Sequence, residues 1–486
     1  MNQAVGRFTV WGMVTMIALT FGIGNLKGDG VLPEEKTLSF DVRYFGAKGD
    51  AKADDTAAFQ KAMDERARKG GGIVEVPAGK YLIKTHLVIP ESVTLEGTWR
   101  APASIGNVAE MKVGAPGEPL TGSILLAVDE AGKADGTPFI TLKSNATLKG
   151  MVIFYPEQTK TNPPVSYPWT VATGPGGTEN PSIIDVFMVN PYQAVDFGSF
   201  ETMRPYICNL YADALYRGVY IDRCMDIARL ENVHLAPFWH WTLESPLTKF
   251  VLENGEGFIF GRTDWQLVRD CFAAIYKVGF RFTKSSPSGV SRTTPSQDSK
   301  FTNLPTGNVM ITGGGADMCD TAILVEDSQS HAGLSFANCQ IFGSLVVRPT
   351  NSGPVRFTAC GFFGRMPEGT GNAALAEIDA GRSRVSFSNC HFYALSAFPG
   401  KPLIHVSSGR INIGDSVFMN SERTFIDHPG SGRGPWAPDQ VVLEPDVIAA
   451  TIMGNEFYGP LRIVNKSKGK VAVANNIDQT DDVPSQ

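Results

Sequence analysis

Between Phe40 and Gly97 the apolar positions change period once. Phe59, Ala62, Met63 and Ala67 recur at helical spacing on one face, after Asp54, Asp55 and Thr56, whose side-chain oxygens suit the free N–H groups of a helix start. Arg66, Arg68 and Lys69 suit the negative end of that helix, and Gly70, Gly71 and Gly72 stop it. From there the pattern alternates with a period of two. IVEV, KYLI, HLVI and SVTL are separated by Pro77-Ala78-Gly79, Pro90-Glu91-Ser92 and Gly97, the punctuation of short strands joined by tight corners. Strand-like runs continue to the end of the chain, and the reading predicts no return to helix. One amphipathic helix ahead of evenly spaced strands is what the end of a β-solenoid needs, because an open coil exposes its core and its backbone edge.

A repeat supports the solenoid. Ala337-Asn338-Cys339-Gln340-Ile341-Phe342, Thr358-Ala359-Cys360-Gly361-Phe362-Phe363, Ser388-Asn389-Cys390-His391-Phe392-Tyr393, Gly414-Asp415-Ser416-Val417-Phe418-Met419 and Met453-Gly454-Asn455-Glu456-Phe457-Tyr458 are variants of one unit. Its third position recurs at spacings of 21, 30, 26 and 39 residues, one coil each with loops of varied length. Stacked coils place these small or polar side chains, and the bulky apolar residue two places after each, in columns about 4.8 Å apart. The cysteines among the seven in the chain are therefore expected as buried fillers, with a disulfide or reactive thiol as the alternative. No C-x-x-C pair is present, which speaks against a metal cluster.

The same N-terminal stretch resembles the signature of the pectate-lyase-like, rhamnogalacturonase/epimerase-like superfamily. Its V-x-x-F-G-A-x-G-D-x-x-x-D-D-T-x-A-F-Q element is met by Val42, Phe45, Gly46, Ala47, Gly49, Asp50, Asp54, Asp55, Thr56, Ala58, Phe59 and Gln60. Its G-G-x-V-x-V-P-x-G-x-Y element is met by Gly71, Gly72, Val74, Val76, Pro77, Gly79 and Tyr81. The resemblance implies an all-β, right-handed single-stranded parallel β-helix with an N-terminal capping helix, and the superfamily's habit of acting on polysaccharides in a surface groove. It transfers no catalytic residue. The polygalacturonase signatures N-T-D, G-H-G and R-I-K are missing, the only D-D is Asp54-Asp55 of the cap, and the pectate-lyase W-I-D-H is missing too.

Length allows two or three domains, but a solenoid grows by adding coils, so residues 38–475 are read as one domain. Residues 1–30 read as a secretory signal or N-terminal anchor: a 17-residue apolar run from Phe8 to Gly24, with Gly22-Ile23-Gly24 as a small-x-small cleavage site. Export follows, with no further membrane segment, and residues 476–486 are read as a flexible tail. A formal net charge of −6 without a basic stripe excludes nucleic acid as the expected partner. Two long Pro- and Gly-containing stretches, Gln158 to Pro181 and Thr283 to Ser299, are expected as loops that wall a binding surface.

Candidate chemistry concentrates between Asp222 and Asp270. With Leu230, Val233 and Leu235 inward, Arg229, Glu231 and His234 point out, and Arg262 and Asp264 follow the inward Phe258 and Phe260. Glu231, Asp264 and Asp226 are the candidate catalytic acids. Glu231 and Asp264 are 33 residues apart, about one coil, and are expected on neighbouring rungs. Glycoside hydrolysis needs two carboxyls about 5–5.5 Å apart for retention or about 6.5–9.5 Å for inversion. Arg229, His234, Trp239, Trp241, Arg262 and Trp265 are the candidate substrate-binding residues, the tryptophans as flat faces for sugar rings and the arginines for a carboxylate. Each has a duller reading: a solvated or ladder-paired charge, a hydrogen-bonded histidine, a core tryptophan. The expected function is a secreted glycoside hydrolase acting on a polysaccharide, pectin-like or otherwise uronate-containing, with no metal or cofactor. The alternatives are a polysaccharide lyase, the one case in which Ca²⁺ enters, and a non-catalytic glycan-binding or adhesive solenoid.

Overall fold

A computed structural model describes residues 40–102, 120–240, 242, 244–293, 307–364, 374–393, 401–419, 439–458 and 461–478. The N-terminal segment 1–30 and Trp241 lie outside the described residues. From Phe40 onward the chain packs as one compact unit.

The architecture is a parallel β-helix. Among the described residues, thirty-six strands form one continuous sheet in which strands pair in parallel with those one coil away. The strands line three faces. One runs through Tyr206–Ala212, Arg229–Glu231, Gln266–Arg269 and Val309–Thr312. A second runs through His234–Leu235, Phe272–Ala274, Gly315–Asp317 and Gln340–Phe342. The third runs through Trp169–Thr173, Gln193–Phe197, Arg217–Ile221, Glu256–Phe260 and Val278–Phe282. Apolar residues at alternate positions fill the interior. Phe258 over Phe280, and then Phe362, Phe392, Phe418 and Phe457, stack at centroid distances of 4.6 to 5.0 Å, one ring per coil.

The corner between the first two faces explains the repeat. Asp185, Asn209, Asn232, Asp270, Asn338, Ala359, Asn389 and Asp415 all adopt φ between 49° and 54°, the left-handed region that Asn and Asp tolerate best. The next residue turns inward, and there Cys271, Cys339, Cys360 and Cys390 lie buried with thiols directed at strand carbonyls. All seven cysteines are free.

Helix α1 (Thr56–Arg68) buries Phe59, Ala62 and Met63 against the first coils. Its start differs from expectation. Asp54 Oδ1 accepts from Thr56 N and Oγ1, whereas the Asp55 carboxylate turns back to hold the Lys48 and Gly49 amides at 2.6 and 3.1 Å. A second helix, α2 (Pro246–Asn254), contradicts the expectation of strands alone; Ser245 Oγ caps it by accepting from Leu247 N, and Pro246 opens it. The Gln158–Pro181 stretch is also more than a loop, since Trp169–Thr173 is a fully buried strand of the third face. The coils run past residue 476, where the tail is expected to begin. Lys470–Ala474 and Ile477–Asp478 add one more coil.

Candidate functional site

The leading corner of the first face carries a ladder of polar side chains. Asn145, Asn180, Arg204 and Trp265 each turn that corner with φ between 50° and 57°, so their side chains fan outward from successive coils. Asn180 Nδ2 donates to Asn145 Oδ1 at 2.8 Å, and Arg204 Nε donates to Asn180 Oδ1 at 2.8 Å. Arg204 then bridges two acids, Glu179 at 2.5 Å and Asp226 at 2.6 Å. One coil further, Arg262 holds Asp264 through both nitrogens, at 2.7 and 3.3 Å. Trp265 stands beside this pair and is 59% exposed, more open than any tryptophan of the described interior. A cleft of about 440 Å³ adjoins the ladder, lined by Glu91, Ser144, Asn145, Thr178, Glu179 and Glu201.

Along the strand that follows, Glu231 accepts from Tyr206 Oη at 3.1 Å and pairs with Arg269 at 3.2 Å. Arg229 is exposed in the neighbouring outward position of the same strand. The Tyr206 phenol is held above its ordinary range, first by its contact with Cys208 and then by burial and the Glu231 charge, so it stays a donor.

The proposed carboxylate pair is not formed in register. Glu231 lies opposite Arg269, 38 residues on, because α2 lengthens that coil. Asp264 lies beside Cys224 instead, its amide donating to the Cys224 carbonyl at 2.8 Å. Asp264 therefore precedes the strand Gln266–Arg269 while Glu231 lies opposite its last residue, and each is closed in its own ion pair. Two further binding expectations change. Trp239 is 1% exposed and is a core residue, not a platform. His234 packs between Tyr211, Phe238 and Phe272, with ring centroids at 5.5, 5.0 and 4.8 Å.

That packing sets the charge of His234. Burial pulls its pKa down to about 4, so it is neutral in the folded protein where an unfolded chain protonates near 6.5. The unfolded state thus binds the extra proton between those values. Stability should be complete above pH 6.5 and fall as the pH drops toward 4, by about 3 kcal/mol in all. Thermal melts across this window should show the loss, and His234→Phe should flatten it.

Sequence reasoning missed a cluster of buried charge on the third face. Asp222 is fully buried and accepts from Tyr220 Oη, Ser285 Oγ and the amides of Arg223, Arg262 and Ser286 at 2.7 to 2.9 Å. Burial pushes its carboxyl up, and these donors hold it back. The donors bind the 283–293 segment as a strap across the outer face. Arg292 closes the other end on Asp196 at 2.6 Å, and Val290 covers Trp169, Tyr220 and Ile259. In the sequence these acids look like any surface acids.

The family model described as Rhamnogalacturonase A/epimerase, pectate lyase-like, matches residues 39–123. Over 115 residues the chain is 34% identical to alginate lyase 7 of Azotobacter vinelandii and 33% identical to the mannuronan C5-epimerase AlgE3 of the same organism. Each match covers 22% of this chain, but only 13% of the lyase and 6% of the epimerase. Among solved structures, the N-terminal fragment of bacteriophage Phi29 gene product 12 aligns with 86% of this chain and 66% of its own, at a TM-score of 0.53 and 12% identity. A tailspike protein of E. coli bacteriophage HK620, in complex with a hexasaccharide, aligns with 86% of this chain and 75% of its own, at 0.50 and 9%. At these identities the likeness shows the fold alone.

Proposed function

We propose that this chain is an exported enzyme acting on a uronate-containing polysaccharide, and that its chemistry is proton abstraction at the sugar C5, as a lyase or epimerase uses, in place of glycoside hydrolysis. The observation that carries the choice is the state of the acids. Hydrolysis needs two facing carboxyls, one of which gives up a proton, yet Glu231, Asp264 and Asp226 are each engaged by an arginine and do not face one another. An exposed arginine and indole beside these pairs suit a uronate. Arg229, exposed on the first face, and Trp265, exposed at its leading corner, make a short surface band, a combination that suits a sugar ring and its carboxylate. The alginate lyase and the C5-epimerase among the relatives support a uronate substrate. The Phe8–Gly24 apolar run supports export.

Affinity electrophoresis through gels of polymannuronate and polygalacturonate tests the binding face. The protein should be retarded by at least one polyuronate and not by a neutral glucan, with retardation fading as salt rises. Trp265→Ala and Arg229→Ala should each weaken it about tenfold. Equal mobility in polyuronate and neutral gels excludes the reading.

A further inference from the structure

The corner that follows Tyr206–Ala212 holds a histidine–carboxylate pair that the surface band does not use. Asp213 and His240 are 2% and 3% exposed. Asp213 Oδ2 accepts from the Trp239 amide at 2.9 Å and lies 2.8 Å from His240 Nδ1. A carboxylate can only accept, so this contact places the imidazole proton on Nδ1 and leaves a lone pair on Nε2. That Nε2 is buried and has no hydrogen-bond partner among the described residues. Burying an imidazole nitrogen with its lone pair unused is costly, and the aspartate fixes the ring so that it stays unused. Among the described residues the ring is oriented at one nitrogen and has no partner at the other.

A cation lies over the ring that precedes His240. Lys160, from the segment 156–168, lies 5.4 Å above the Trp239 ring, the residue next to His240. Burial lowers the pKa of its amine while the Asp213 charge acts against that, so the amine is within electrostatic reach of Asp213. The segment carrying it is closed on itself through Gln158 with Val165 and Tyr167 with Glu157, and its far end is tied to other coils, the Ser166 and Tyr167 carbonyls accepting from Gly132 N at 2.8 Å and Gln193 Nε2 at 3.1 Å. Its bond toward α2 is long, Ser245 Oγ to the Lys160 carbonyl at 3.5 Å. Tyr276 closes the floor, its hydroxyl donating to the Ala214 carbonyl at 2.9 Å.

We propose that His240 is the catalytic base of a hexuronate β-elimination site, that Asp213 positions it, and that Lys160 meets the sugar carboxylate once the 159–164 stretch, between the Gln158 and Val165 tie points, swings away from α2. The assignment rests on the uronate reading above. His240 Nε2 takes the C5 proton as the C5–H bond breaks, and the electron pair spreads onto the carboxylate beside the Lys160 ammonium. The pair then forms the C4–C5 double bond as the C4–O bond breaks, and the imidazolium returns its proton to the departing oxygen. One group thus carries the proton from carbon to leaving group, and no external oxidant or metal is consumed.

The test uses the full chain with polymannuronate and polygalacturonate, following ultraviolet absorbance of the unsaturated product and, separately, retardation in polyuronate gels. Against the wild type, His240→Gln should lose turnover at least 100-fold while circular dichroism and gel retardation are unchanged. Asp213→Asn should lower kcat at unchanged KM and shift the acidic limb of the pH profile, which a merely structural residue would not do. Lys160→Met, on the outer segment, keeps the test open if the buried variants fold poorly; it should raise KM about tenfold. Turnover in His240→Gln or Lys160→Met within threefold of wild type overturns this site and leaves the polyuronate reading standing. A wild-type protein that is retarded by polyuronate but forms no unsaturated product also overturns it, and one that is not retarded overturns the functional reading itself.

Discussion

Asp222→Ala should destabilise the protein by on the order of 5 kcal/mol and release the 283–293 strap. The reason is the number of groups that depend on one carboxylate. Three backbone amides and the hydroxyls of Tyr220 and Ser285 point at it in a site without water access. Without it, each buried donor keeps its desolvation cost and loses its acceptor. Arg223, 2% exposed and bonded to Ser286 Oγ and the Ser199 carbonyl, loses the strap that satisfies it. Denaturant titration should report the loss, and limited proteolysis should cut the variant between 283 and 293 under conditions that leave the wild type intact. Asp222→Asn keeps the shape and one acceptor oxygen and should cost about half as much.

Phe392→Ala should cost about 4 kcal/mol. The ring is fully buried and stacks on Phe362 at 5.0 Å below and Phe418 at 4.8 Å above, with Phe387 edge-on at 5.2 Å. Removing it opens a cavity between three coils, and parallel strands on either side limit collapse. In a solenoid each coil is stabilised by its two neighbours, so the damage should split the molecule. Hydrogen exchange should show protection lost from residue 391 to the C-terminal coils while the coils before Phe362 keep theirs. Uniform loss along the whole chain would contradict nearest-neighbour stabilisation.

The coil architecture was legible because it repeats. Asn338, Asn389 and Asp415 announce a left-handed corner, the following cysteine or serine announces an inward small position, and the bulky apolar residue two places later announces the stack. What could not be read was which residues in different coils become neighbours. Register depends on how many residues each corner absorbs, and α2 adds enough to move the partner of Glu231 from the region of Asp264 to Arg269. α2 itself carries a Ser-Pro start, but FVLE within its nine residues reads equally as a strand. Trp239 clusters with acids in sequence and is buried in the fold. Asp213 and His240, 27 residues apart, belong to corners of successive coils and share no local motif, so only coordinates bring them together. Asp222 shows the converse: an acid that looks exposed by type is fully enclosed beneath the strap.

The account centres on C5 chemistry on a polyuronate. Proton NMR of polymannuronate and polygalacturonate incubated with the protein in D₂O observes that carbon directly. The account predicts loss of the C5 proton signal, with deuterium incorporated or an unsaturated end formed, in at least one of the two polymers. New reducing ends with every C5 proton retained would contradict it and restore hydrolysis.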